Sequence, residues 1–533
     1  MSLSDSTYHQ PEKNDVRERV IADAVKALTV ERSSSPVVTV ETFRKTMEYC
    51  CRYLDKHCGR NAHDDVKPHV DSWLELHRSR VGVKKPSDLH VLFLAGPDPT
   101  NDLMTFRQHG IPFENIWAIE SDKGTFAKAV FAAGQQGIRV KLHRGSLQSF
   151  FAVVPQQFDI VYFDATAPLF GGEPNTIQVV RELFLNQRLS PLAVLITNFA
   201  EATKDATSTE AWAKRVGNWA YANGTMDTFT EHFPEFVASK VKPRFQEYYG
   251  EFVTKFLIRF AAQLVPWWRV AALPGAKREY FSDEKTLAEA AAKTNTVEMM
   301  TNELYPLLRL ALFTSWHLDP NDVMSRLFFT ETLEKAKLGD AVKIASLIRT
   351  FYEITFDGVF GSTKHVLDAC SPELAKVLGT FKWFDQAERV FCDVPLPNLI
   401  TDLLLGLYGF PYHVNAQKIR RYAYKAKETV MFTDVLVFDQ ARYVYDLLPT
   451  LPLFDTDFSL PQQLVLRVCM DAMHRHCHYG CKDVYWGSAL AGLGEDGFSY
   501  WLPPARECIG KPGVSFKEPD ADGNEVWDDF SME

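Results

Sequence analysis

The chain lacks an excess of basic residues. Its 533 residues carry 58 Lys and Arg against 68 Asp and Glu, a formal net charge of −10. That balance excludes a protein that coats nucleic acid by bulk electrostatics, because phosphate binding needs clustered cations. A local basic groove stays open. The chain also lacks an apolar run long enough to span a membrane. Its richest stretch, Leu399 to Tyr408, is short and contains Asp402, so it reads as a buried helix. The opening, MSLSDSTYHQPEKNDVRERV, has no apolar core of a secretory signal. The expectation is a cytoplasmic protein with no membrane partner. Nor is there a disulfide framework, since nine cysteines are an odd number scattered through a large chain. Internal repeats and low-complexity blocks are missing too.

What is present suits large buried cores. Hydrophobic residues make up 46% and charged residues 24%, with 38 Phe, 19 Tyr and 11 Trp. A single core stops growing at about 250–300 residues, so two or three domains are expected. Residues 1–14 read as disordered. Val16, Val20, Ile21, Ala24, Val25 and Leu28 then fall on one helical face. Phe43, Met47, Cys51 and Leu54 form a second stripe, and Val66, Val70, Trp73, Leu74 and His77 a third. Residues 1–85 therefore read as an N-terminal helical unit ending at Lys84-Lys85-Pro86-Ser87. From Leu89 the texture changes to strand-length apolar runs alternating with helical patterns. Strands are expected at Leu89–Leu94, Ile116–Glu120, Arg139–His143, Asp159–Phe163 and Leu192–Asn198, with helices near 101–109, 123–135, 146–153 and 175–187. This alternation predicts an α/β fold, a Rossmann-like doubly wound, mostly parallel sheet over 86–200. Residues 201–460 read as a large, mainly helical region, with Arg244–Phe260 and Asn302–Trp316 as aromatic-rich helices. Tyr422–Phe438 is ambiguous, because Asp434 interrupts a strand-like run. Residues 461–533 form a C-terminal segment with an acidic tail.

Four segments of the core carry chemistry. Leu92-Phe93-Leu94-Ala95-Gly96-Pro97-Asp98 takes a strand into a small-residue turn, and a helix follows, capped by Thr100 or Asn101. Glycine lets backbone approach a ligand closely, and a helix N-terminus offers unpaired N–H groups. Glu120 ends the second strand, 24 residues after Gly96. A carboxylate there can accept hydrogen bonds from ribose hydroxyls. His143-Arg144-Gly145-Ser146-Leu147 is a third strand-to-helix turn, where adenine could lie. Phe158 to Pro168 places Asp164 at the end of the fourth strand, in the crevice where open α/β sheets bind ligands. Asn198 ends the fifth strand beside the same crevice.

This order of motifs resembles the class I S-adenosylmethionine-dependent methyltransferase superfamily, over about a fifth of the chain. The resemblance implies Gly96 and Asp98 near the methionine moiety, Glu120 on the ribose, Ser146 near adenine and Asp164 by the reacting centre. It implies S-adenosylmethionine as cofactor and methyl transfer as the activity. The first turn departs from the family by having one glycine, followed by Pro97 and Pro99. The usual terminal hairpin is not evident after Asn198. The fourth segment also resembles the aminopropyltransferases that make polyamines, although Asp164-Ala165-Thr166-Ala167-Pro168 lacks their second acid.

The catalytic candidates are Asp164, to orient or deprotonate an acceptor, and Asn198. Asp164 could equally cap the turn that follows it. The size of the appended region points to a macromolecular acceptor, nucleic acid or protein. Lys418, Arg420, Arg421, Lys425 and Lys427, interleaved with Tyr422 and Tyr424, are the candidate surface for it. Lys240, Lys242, Arg244 and Lys255 form a second aromatic–basic cluster. A solvated helix face explains either cluster as well. Cys469, His474, His476, Cys477, His478 and Cys481 crowd together, but the spacing of a zinc site is absent, so no metal is expected. Two other readings stand beside methyl transfer. One is a non-catalytic Rossmann-like sensor or scaffold, and the other is aminopropyl transfer.

Overall fold

The computed structural model describes residues 10–48, 62–169, 176–202, 210–217, 237–269, 405–446 and 504–512, apart from 46, 166, 211, 214, 215, 267 and 268. The predicted strand–helix alternation is present. The strands are β1 (Val91–Leu94), β2 (Ile116–Glu120), β3 (Lys141–Arg144), β4 (Phe158–Asp164) and β5 (Leu189–Ala200). Between them run α3 (Thr100–Gln108), α4 (Lys123–Gln135), α5 (Leu147–Val153) and α6 (Thr176–Leu185). β4 and β5 are covered on both faces, which is why they read as near-continuous apolar runs. α6 buries Ile177, Val180, Leu183 and Phe184, the i, i+3, i+6, i+7 stripe of a helix lying on a sheet.

The five strands pair in parallel in the order β3-β2-β1-β4-β5. After β3 the chain returns past β1, so strand order reverses between β1 and β4. Crossovers on opposite sides of that point leave a crevice at the carboxyl ends of the strands. The fold is a Rossmann-like, mostly parallel α/β sheet.

The sheet continues in the stretch that the sequence left ambiguous. β7 (Arg420–Ala426) and β8 (Thr429–Asp439) form an antiparallel hairpin. β8 inserts antiparallel beside β5, from Leu192 opposite Asp439 to Ala200 opposite Met431. The hairpin thus lies beside β5 in space although it follows it by more than 200 residues in sequence. This resolves the ambiguous stretch Tyr422–Phe438 as strand. β6 (His413–Val414) pairs β8, and β9 (Glu507–Ile509) adds in parallel to β7. The charge that disguised β8 is neutralised. Asp434 lies 2.6 Å from Arg506 and accepts from Thr254 at 2.6 Å, and both members of the ion pair are fully buried. Thr254 belongs to α7 (Phe245–Arg259), which lies within the expected aromatic helix. The expected helix Asn302–Trp316 lies outside the described residues.

The N-terminal elements join the same core. α1 (Pro11–Leu28) begins inside the stretch read as disordered. Its predicted face, Val16, Val20, Ile21, Ala24, Val25 and Leu28, is buried against β5, β7, β8 and α3. α2 (Ala62–Val81) carries Trp73, which stacks on Phe43 at 3.7 Å and meets the edge of Tyr443. Tyr443 lies in the short α8 (Arg442–Tyr445) that follows β8. One continuous set of buried side chains runs from Val16 through the sheet to Ile509. Buried side chains on both sides of residues 85 and 200 belong to that one set.

Candidate functional site

The carboxyl ends of β1 to β4 open onto a cavity of about 490 Å³. That volume is within the usual range of small-molecule sites, about 300–1,000 Å³. Its walls include Gly96, Asp98, Glu120, Ser146 and Asp164, five of the six residues proposed from the sequence. They come from four separate strand ends and meet because each parallel strand points the same way.

Each turn has a local cause. Gly96 adopts φ +57°, a left-handed conformation that glycine enters without steric penalty. Asp98 Oδ1 accepts from the Thr100 amide at 3.0 Å and from its hydroxyl at 2.5 Å. Asp98, in place of Thr100 or Asn101, thus holds the start of α3. Glu120 Oε1 accepts from the Asp122 amide at 2.8 Å. Its other oxygen accepts no hydrogen bond among the described residues, so one carboxylate oxygen is available to a ligand. Ser146 caps α5, accepting from the Ser149 amide at 3.1 Å. Its hydroxyl is already engaged, and its contribution to the wall is steric and through the α5 N-terminus.

Both carboxylate oxygens of Asp164 have partners outside the turn that follows it. Its Oδ1 accepts from Asn198 Nδ2 at 2.6 Å, and its Oδ2 lies 2.9 Å from Lys13 Nζ. Asn198 is not part of the cavity wall. It sits behind Asp164, almost fully buried, donating also to the Tyr424 hydroxyl at 2.9 Å and accepting from Thr433 at 2.7 Å. Asn198 therefore holds the Asp164 carboxylate in position. Tyr424 and Tyr162 approach the same carboxylate, and burial, then the nearby Asp164, pushes both phenols well up, so they stay protonated.

Sequence reasoning missed the residues that α1 contributes. Lys13 and Arg17 line the cavity, as does Asp102 of α3. Arg17 Nε lies 2.7 Å from Asp102 Oδ1. Burial alone would lower the Lys13 ammonium, but the charge and hydrogen bond of Asp164 outweigh it, and the net shift is upward. Arg17 behaves in the same way beside Asp102. Burial pushes the Asp102 carboxyl up, against the pull of Arg17. The one available signal was the i, i+4 spacing of Lys13 and Arg17 beside the apolar stripe of α1. Nothing local says that this helix crosses a strand end 150 residues away.

Of the basic cluster at 418–427, Arg420 and Lys427 are exposed, whereas Lys418 and Arg421 are taken up by partners. Lys418 donates to Glu31 at 2.7 Å, and Lys26 binds the other Glu31 oxygen; together they hold that carboxyl down to about 2. Arg421 is 3% exposed and pairs with Glu251 of α7. Arg420 donates to the Gln417 and Ile419 carbonyls, and Lys425 pairs with Glu428. Tyr422 and Tyr424 are buried, so no base could stack on them. Strand alternation sends the tyrosines towards α1 and Arg421 towards α7. In the second cluster, Lys242 pairs with Glu210 and Arg244 with Glu247. No group of metal-ligating side chains occurs among the described residues, and the Cys469–Cys481 segment lies outside them. No described helix is long and apolar enough to cross a membrane.

No family model and no curated protein matches the chain. Among solved structures it is similar to the plantazolicin methyltransferase BamL, determined in complex with a triazolic desmethylPZN analog and SAH. The identity is 14%, the match covers 38% of this chain and 62% of that one, and the TM-score is 0.18. The match thus spans less than two thirds of that chain's length. At this level the similarity adds nothing to the geometry of the cavity itself.

Proposed function

We propose that the chain is an S-adenosylmethionine-dependent methyltransferase. The observation that carries this reading is the convergence of Gly96, Glu120, Ser146 and Asp164 on one cavity at the switch point of the sheet. The cofactor supplies an activated methyl group on a sulfonium, so the protein needs to bind and align more than to react. The free oxygen of Glu120 accepts from the ribose hydroxyls. Gly96, without a Cβ, admits the methionine portion beside Asp98. The turn at Ser146 borders the adenine. Asp164, fixed by Asn198, accepts a hydrogen bond from the methyl acceptor and is the carboxylate placed to take its proton. The length of the 201–419 connection, which leaves β5 at its cavity end, favours a macromolecular acceptor.

Aminopropyl transfer remains a second reading, because Asp102 joins Asp164 in the cavity and supplies the second acid that the sequence motif lacked. Thermal unfolding separates the readings. At about 100 times its dissociation constant, S-adenosylhomocysteine should stabilise the protein by about 2.7 kcal/mol. Glu120→Ala should remove that shift while leaving the ligand-free protein folded. A shift with decarboxylated S-adenosylmethionine alone would favour polyamine synthesis. The absence of any shift would return the sheet to the role of a scaffold.

A further inference from the structure

Two cations from α1 reach a cavity whose other charged walls are mainly carboxylates. Lys13 and Arg17 stand one helical turn apart and both line it. Each is held by an acid that also lines it, Lys13 by Asp164 at 2.9 Å and Arg17 by Asp102 at 2.7 Å. Withdrawing charges from water is unfavourable even when they pair, so packing alone gives no reason for two ion pairs here. The framework that holds them is rigid. α1 is pinned by buried Val16, Val20 and Ile21, and Asp164 by Asn198. Two adjacent ion pairs are the complement of a zwitterion. A carboxylate and an ammonium on one carbon can enter between them, each meeting the opposite sign, and the charges stay balanced.

We infer that Lys13 and Arg17 recognise the α-carboxylate of the ligand's amino-acid head, so the site selects donors that carry an intact α-amino acid over decarboxylated ones. This rests on the S-adenosyl reading above and decides between its two branches. Arg17 is the fixed member, with 6% of its side chain exposed, and Lys13, at 18%, is the one with room to turn. When Lys13 turns to the ligand carboxylate, Asp164 Oδ2 is released while Oδ1 remains on Asn198. An amino-acid-bearing donor thereby frees a carboxylate oxygen for the acceptor, and a decarboxylated donor leaves Lys13 on Asp164.

Titration calorimetry on the full chain tests this with S-adenosylmethionine and its decarboxylated form, which differ only in the carboxylate. The wild type should prefer the intact form on the order of tenfold to a hundredfold, the contribution of a charge-assisted hydrogen bond. Lys13→Met should bring the ratio below about threefold by weakening the intact form alone, and Lys13→Arg should keep the wild-type ratio. Equal binding by the wild type overturns the inference, and so does an unchanged ratio in Lys13→Met. Either result leaves the nucleoside reading intact. Binding of neither compound overturns both. The wild-type ratio decides by itself if Lys13→Met does not fold.

Discussion

Asn198 shows how a residue can govern the site without touching the cavity. Its amide donates to Asp164 and Tyr424 and accepts from Thr433. Asn198→Leu leaves the buried Tyr424 and Thr433 hydroxyls and the part-buried Asp164 carboxylate without this partner, a loss of about 1–3 kcal/mol for each group that finds no other. Urea unfolding should show that loss, while the affinity for S-adenosylhomocysteine, set mainly by Glu120, should change little. A parallel drop in both would mean that Asn198 meets the ligand. Gly96, Asp98, Glu120, Ser146 and Asp164 were legible in the sequence because each ends or follows an apolar run at a fixed place in a strand–helix alternation. Lys13, Arg17 and Asp102 were not legible, because their roles depend on contacts across 85 to 151 residues. Polar residues ahead of an apolar stripe look like a solvated terminus until the partner carboxylates are in place.

Among the elements, the β7–β8 hairpin is the clearest case of tertiary partners overriding local pattern. A charged residue in mid-strand argues against a strand unless something neutralises it. Asp434 has Arg506, 72 residues later, and Arg421 has Glu251, 170 residues earlier. Arg506 also donates to the Gly250 and Tyr422 carbonyls, and so fastens β9 and α7 to the hairpin. Asp434→Leu alone leaves a buried guanidinium unpaired and should destabilise by about 3–5 kcal/mol. Asp434→Leu with Arg506→Met should be much milder. Chemical denaturation of the two variants checks this, and equal losses would contradict the ion-pair account. β1 and β5 needed no such partners to be read, since parallel strands between two helical layers are apolar on both faces; the buried Asp159 of β4 does have one, Lys84 at 2.6 Å.

For the whole molecule, the N-terminal helices and the hairpin share one core, and His77 lies at their junction. It sits between Trp73 and Tyr443, with Nε2 donating to the Val38 carbonyl at 3.1 Å. Burial holds its pKa down to about 4 against the upward pull of that hydrogen bond. The folded state therefore keeps a neutral imidazole where the unfolded chain, at about 6.5, takes up a proton. This contribution is complete above about pH 6.5 and is lost as pH falls to about 4, roughly 3 kcal/mol in all. His77→Gln should flatten stability between those pH values, read from urea midpoints; an unchanged slope would place the titrating group elsewhere. The central claim, however, is the cavity at the carboxyl ends of β1 to β4, and the most direct test is a crystal structure with S-adenosylhomocysteine. The account predicts the ribose hydroxyls on Glu120, the adenine beside Ser146 and the amino-acid head between the Gly96 turn and Lys13. A nucleoside bound elsewhere, or seated there without Glu120, would contradict it.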